Sequence, residues 1–281
     1  MEPDNATPAP TLPQDLVPRL ASGIVLAVGA LALTWAGVWP FALLVLAVAL
    51  IIAWEWGGIV RGASVDTIFV VSALAIVAAV LLTSSGTPGL ALITLIVGAI
   101  LAALLGFGDR GHLSSLGVLY AGLPAISLIW LRSSQQWGFV AVLFVLLLVW
   151  ATDTGAYAAG RAFGGPRLAP RWSPNKTWAG LIGGVACAML VAAAVGYMAE
   201  TGSIGRMVIG AGVLAVVAQA GDITESALKR QHGVKDASTL IPGHGGFMDR
   251  VDGLVFSATF AAVFGLLVNV HDPARALLMW H

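Results

Sequence analysis

The residues able to do chemistry crowd into one stretch, Gly221 to Gly253, which reads GDITESALKRQHGVKDASTLIPGHGGFMDRVDG. It holds four bases (Lys229, Arg230, Lys235, Arg250) and five acids (Asp222, Glu225, Asp236, Asp249, Asp252), in a chain of 281 residues with only 14 basic and 14 acidic residues. Asp222, Glu225, Ser226 and Lys229 are spaced i, i+3, i+4 and i+7, which places them on one face of a helix. Asp249 and Asp252 repeat the i, i+3 spacing. Two carboxylate pairs near one boundary can converge on a hard divalent cation, and Mg2+ takes one or two carboxylates together with waters and substrate phosphates. Asp222, Glu225, Asp249 and Asp252 are therefore the candidate metal donors. Salt bridges alone, Asp222 or Glu225 with Lys229 and Asp249 with Arg250, would explain the charges but not the turn Gly243-His244-Gly245-Gly246 between them. A Gly-rich turn before a helix start offers backbone N–H groups to an anionic oxygen. His244 is read either as a phosphate donor or as a turn residue.

A second polar segment adds Asp153, at the end of an apolar run, and Ser173-Pro174-Asn175-Lys176-Thr177. Ser173 is predicted to cap a helix starting near Lys176, with Pro174 at its first position. A helix start carrying Lys176 and Thr177 is also an anion site. Arg161, Arg167 and Arg171 either set topology or meet anionic headgroups. Together these residues suggest a pocket at the bilayer edge with a carboxylate-bound metal and several phosphate-binding groups. The chemistry that fits is phosphoryl or nucleotidyl transfer to a lipid.

The elements that position these groups are membrane spans. Hydrophobic residues make up 58% of the chain and charged residues 10%, against about 25% charged in a soluble domain. Apolar runs, AGVLAVVAQA and LVFSATFAAVFGLLVNV, flank the charged window; ionisable groups there are costly and so usually functional. At about 20 residues per span, nine spans are predicted, near 20–38, 40–58, 67–83, 88–107, 116–131, 137–158, 178–199, 204–224 and 253–271. The fold class is an all-α polytopic membrane bundle: a disordered tail over 1–18, N-terminal helices over 19–135 and a catalytic region over 136–281. With the N-terminus in the cytoplasm, eleven of the 14 bases fall on cytoplasmic segments and only Arg132, Arg206 and Arg275 on the other side. The positive-inside rule favours that orientation. Glu55, between Trp54 and Trp56, is expected at the headgroup level. The single cysteine, Cys187, excludes an intramolecular disulfide and a cysteine-based zinc site. The net charge is zero and informs nothing about nucleic acid; no nucleic-acid partner is expected.

From Ser226 the sequence SALKRQHGVKDASTLIPGHGGFMDRVD resembles the signature of the phosphatidate cytidylyltransferase family, the CDP-diacylglycerol synthases. DTGAYAAGRAFG (153–164) and SPNKTWAGLIGG (173–184) also look like segments of that family. Ala179 stands where many members are expected to carry Glu. The resemblance implies CTP and phosphatidate as substrates, CDP-diacylglycerol and pyrophosphate as products, and Mg2+, with room for a second metal or a monovalent ion. It implies that Asp222 and Asp249 hold the metal and that Lys229, Arg230, Lys235 and Arg250 balance triphosphate charge. Ser173, Lys176 and Thr177 would bind phosphate. Ser226, His244, Gly245, Gly246 and Asp153 would line the substrate site, and a homodimer is left open.

Two other readings compete. A lipid kinase or sugar-phosphate transferase would share the acidic face and the metal; the DGxxAR pattern of CDP-alcohol phosphatidyltransferases is absent, since Asp252-Gly253 is followed by LVFS. A secondary transporter would place its carboxylates near midspan between repeats, whereas these charges cluster at one boundary.

Overall fold

The computed structural model describes residues 16–106, 111–240 and 245–281. The predicted tail up to residue 15, Arg110 and His244 lie outside the described residues. The helices are α1 (Leu16–Ala36), α2 (Val38–Arg61), α3 (Thr67–Ser84), α4 (Pro88–Leu105), α5 (Gly111–Ser133) and α6 (Gly138–Phe163). After a hairpin of β1 (Arg167–Ala169) and β2 (Ser173–Thr177) come α7 (Trp178–Met198), α8 (Ile204–Gln231), α9 (Met248–Val268) and the short α10 (Pro273–Met279). Among the described residues, the eight helices α2 to α9 are long and apolar enough to cross a membrane. The chain is a polytopic helical bundle, and α1 covers the first of the predicted spans. Large apolar side chains such as Leu74, Leu104 and Leu190 point outward, as a lipid solvent allows.

Small residues set how closely the helices approach. A side chain at Gly155 of α6 would stand 2.6 Å from Cys187 Sγ of α7, and one at Gly184 of α7 would stand 2.7 Å from the Thr152 carbonyl of α6. Without side chains there, the two backbones pack almost in contact, and dispersion replaces the hydrophobic drive that lipid does not supply. That contact holds Asp153 on α6 beside the hairpin that leads into α7.

Three local expectations change. The helix predicted to start near Lys176 begins at Trp178, and Ser173 to Thr177 form β2, paired antiparallel with β1. Thr177 is the N-cap, its hydroxyl accepting from Gly180 N at 3.0 Å. Ser173 therefore does not cap; Pro174 lies in the extended strand, where its fixed φ also fits. The second predicted span does not end near Glu55, because α2 runs unbroken to Arg61. Glu55 and Trp56 are buried inside the protein rather than turned to headgroups. Trp56 Nε1 donates to Leu113 O at 2.9 Å, and its ring lies 5.0 Å from that of Tyr120.

The next corner is closed by charge. Asp66 caps α3, accepting from Phe69 N at 2.7 Å. It also takes Arg61 Nε at 2.6 Å and Nη2 at 3.0 Å.

Candidate active site

The C-terminal ends of α6 and α8, the N-terminal end of α9 and the hairpin meet at one end of the bundle. There the charged side chains form two linked groups. In the first, Lys176 of β2 is ion-paired with Asp222 of α8 and donates to Gln219 Oε1 at 2.7 Å. Gln219 Nε2 reaches Asp153 Oδ1 of α6 at 3.5 Å. Ser226 Oγ donates to Asp222 Oδ1 at 3.4 Å, one turn along α8. Strand, α6 and α8 are thus tied by one lysine and one buried glutamine.

In the second group, Lys229 of α8 is ion-paired with Asp249 of α9 and stands 3.1 Å from Glu225 Oε1. Asp249 Oδ2 also accepts from Ala237 N at 3.0 Å and from Gly246 N at 2.8 Å. Glu225 is almost fully buried, and Asp252 lies between the groups, close enough to feel Asp222, Asp153 and Glu225. Of the salt bridges offered by sequence spacing, Glu225 with Lys229 is present, while Lys229 also pairs across to Asp249 and Asp222 pairs with Lys176.

Of the turn expected to offer N–H groups to a substrate anion, Gly246 donates to the protein instead, as do the two residues after it. Gly246 N goes to Asp249, while Phe247 N and Met248 N go to Glu55 at 2.8 Å and 2.6 Å. Gly245 takes a left-handed φ of 80° beside Asp249. Thr177 likewise spends its hydroxyl on the helix cap. Arg230 and Lys235 are exposed at the end of α8 and in the loop after it, and Arg250 is exposed on α9.

Sequence reasoning missed two residues here. Gln219 was hidden in the apolar run AGVLAVVAQA, yet it stands three residues before Asp222 and so on the same helix face. Glu55 reads as interfacial in the sequence, because its tryptophan neighbours suggest a headgroup position.

Five carboxylates, Asp153, Asp222, Glu225, Asp249 and Asp252, gather with Lys176 and Lys229 at this end of the bundle. Such a concentration of anionic oxygen at a membrane boundary suits a hard divalent cation. Among the described residues no three His, Cys, Asp or Glu side chains are gathered closely enough to chelate an ion unaided. Mg2+ does not need that arrangement, because waters and substrate phosphates complete its shell. The donor set therefore fits the ion that the resemblance implies.

Residues of α1, α2, α5, α6 and α9 line an open apolar cavity of about 440 Å³ that reaches Arg250, the residue after Asp249. Val48, Ile52, Leu128, Val149 and Leu254 form part of its wall, and Arg250 is the one charged group among the described lining residues. An ionic cluster and an apolar cavity reached by neighbouring residues of α9 suit a reaction between a nucleotide and a lipid.

With that geometry in view, comparison with known proteins decides the family. The Cytidylyltransferase family profile matches residues 17–268. The chain belongs to the cytidylyltransferase family. A phosphatidate cytidylyltransferase of Brucella suis biovar 1 is 41% identical over 273 residues, covering 94% of this chain and 98% of the relative. The enzyme of the same name from Haemophilus influenzae is 45% identical over 136 residues, 47% of each chain. That from Staphylococcus aureus (strain COL) is 38% identical over 142 residues, 50% of this chain and 54% of the relative. As a family member, this chain carries its matched region through the N-terminal helices as well as the charged C-terminal segments.

Proposed function

We propose that the protein is a Mg2+-dependent phosphatidate cytidylyltransferase with its active site open to the cytoplasm. CTP and phosphatidate give CDP-diacylglycerol and pyrophosphate. The observation that carries this reading is that α8 and α9 join the Lys176–Asp222 and Lys229–Asp249 pairs while Arg250, the residue after Asp249, lines the apolar cavity. Similarity over nearly the whole length to enzymes of that name supports it.

A phosphate oxygen of phosphatidate attacks the α-phosphorus of CTP. The new P–O bond forms as the bond from that phosphorus to the α–β bridging oxygen breaks, and pyrophosphate leaves. The attacking oxygen is already anionic at neutral pH, so no strong base is required. What the protein must supply is in-line placement and neutralisation of charge. Mg2+ would neutralise phosphate charge, held by Asp222 and Asp249 with Glu225 and Asp252 alongside. Lys176 and Lys229 now occupy those two aspartates, and substrate phosphates offer them an alternative partner of the same sign. Transfer of the lysines from carboxylate to phosphate would free aspartate oxygens as the triphosphate arrives. Arg230, Lys235 and Arg250 would screen the triphosphate, the leaving group and the lipid phosphate. Acyl chains would lie in the cavity, which places the headgroup at Arg250, one residue from Asp249.

Detergent-purified protein incubated with α-labelled CTP, phosphatidate and Mg2+ should transfer label to the organic phase. The transfer should require phosphatidate and disappear with EDTA or with Asp222→Asn. Label that enters lipid only from the γ-position would instead support a lipid kinase.

A further inference from the structure

Glu55 is the one acidic side chain of α2, and it is fully buried. Its Oε1 accepts from Ser238 Oγ at 2.6 Å and from Phe247 N at 2.8 Å, and its Oε2 accepts from Met248 N at 2.6 Å. The three donors span the join between the loop after α8 and the first turn of α9. Asp249 repeats the pattern one residue inward, its Oδ2 taking Ala237 N and Gly246 N. Residues 237 and 238 are thereby fastened to 246, 247 and 248 by two carboxylates, one from each half of the chain. The fit is close. A side chain at Gly246 would stand 2.7 Å from Glu55 Oε1 and 2.9 Å from Ser238 N. A carboxylate at a helix start also receives its orphan N–H groups and the positive end of its dipole.

We infer that Glu55 is a positioning residue for the active site. By holding the first turn of α9, it fixes where Asp249 and Asp252 stand relative to Lys229 and Asp222 on α8. It touches no reacting group in this arrangement; it acts through the backbone that carries them. The inference gives the N-terminal helices a part in catalysis that no residue of the charged C-terminal stretch reveals. It rests on the proposed reaction only for its kinetic consequence, since the clamp itself is a matter of hydrogen bonding.

The test pairs two measurements on the full-length protein in detergent. Hydrogen exchange of the wild-type chain should show the Phe247 and Met248 amides among the slowest from 232 to 248. In Glu55→Gln, whose amide nitrogen faces the Met248 N–H, exchange at Met248 should accelerate at least about tenfold while the other helices keep their protection. In the same variant the Mg2+ concentration for half-maximal cytidylyl transfer should rise about tenfold, a quantity that a smaller folded fraction leaves unchanged. Ser238→Ala, which removes one donor and leaves the carboxylate, should shift it less, by about threefold or under. Fast wild-type exchange at Phe247 and Met248, or an unchanged Mg2+ requirement in Glu55→Gln, overturns the inference. If Glu55→Gln does not fold, the wild-type exchange pattern and the Ser238→Ala shift still decide it. Slow exchange in a wild type that transfers no label would uphold the clamp and sink the reaction instead.

Discussion

Lys176 holds Asp222 and Gln219 at once, and Gln219 passes the contact on to Asp153. In a site crowded with carboxylates, that lysine does more than balance one charge. It keeps α6, β2 and α8 in register before any substrate arrives. Replacing it should leave Asp222 facing other carboxylates without a cation, so Lys176→Met should lower kcat/KM for CTP by about 10²-fold or more. Gln219→Leu keeps the Lys176–Asp222 pair and loses only the link to Asp153, so the loss should be nearer tenfold. The same label-transfer assay, run with both variants at saturating Mg2+, checks the order; equal losses would mean that Gln219 matters as much as the cation. These roles were partly legible in advance. Ionic residues stand out against an apolar sequence, whereas a lone glutamine in an apolar run does not, and its importance depends on which strand crosses beside it.

At the scale of elements, the corner between α2 and α3 shows how short polar segments fix long apolar ones. Asp66 both caps α3 and binds Arg61 at the end of α2. Partial burial pushes its carboxyl up, but the Arg61 guanidinium and the Phe69 N–H outweigh that and hold it below the usual aspartate value. The sign follows: a folded-state value below the unfolded one adds stability above about pH 4, and that contribution is lost as pH falls through the lowered value. Asp66→Ala should therefore destabilise the protein by about 1 kcal/mol at pH 7. Asp66→Asn, which still caps, should differ from wild type at pH 7 and converge on it in acid. Thermal unfolding in detergent across that range measures the gap, and a gap that widens in acid would contradict this account. The hairpin carries a related lesson. Ser-Pro-Asn-Lys-Thr satisfies the composition of a helix start, yet pairing of β2 with β1 moves the cap to Thr177. Strand pairing is a contact between separate segments, which a local capping signal does not contain.

For the whole molecule, the proposed orientation is the one the positive-inside rule favours, from the excess of Lys and Arg in the segments predicted to face the cytoplasm. With Cys187→Ala as background, a cysteine placed at the exposed Asn175 should react with a membrane-impermeant maleimide from the cytoplasmic side only. Labelling of intact cells from outside would reverse the proposed topology. The same long-range organisation explains why the N-terminal helices matter to a site whose ionic residues lie mostly after residue 150: Glu55 reaches Met248 across 193 positions of sequence.

Sequence by itself determined the class of the molecule and roughly where the spans lie, because a bilayer demands long apolar helices and tolerates ionic groups only where they are used. It also determined which carboxylates and lysines share a helix face, since that follows from helical period alone. Only the tertiary structure decided the pairing. Lys176 could have met any of five carboxylates, and packing of the hairpin against α8 selected Asp222. Glu55 could have faced headgroups, and close packing of α2 against the first turn of α9 turned it inward. Helix period is local and repeats every few residues; the partner of a buried charge depends on segments that meet only when the bundle closes.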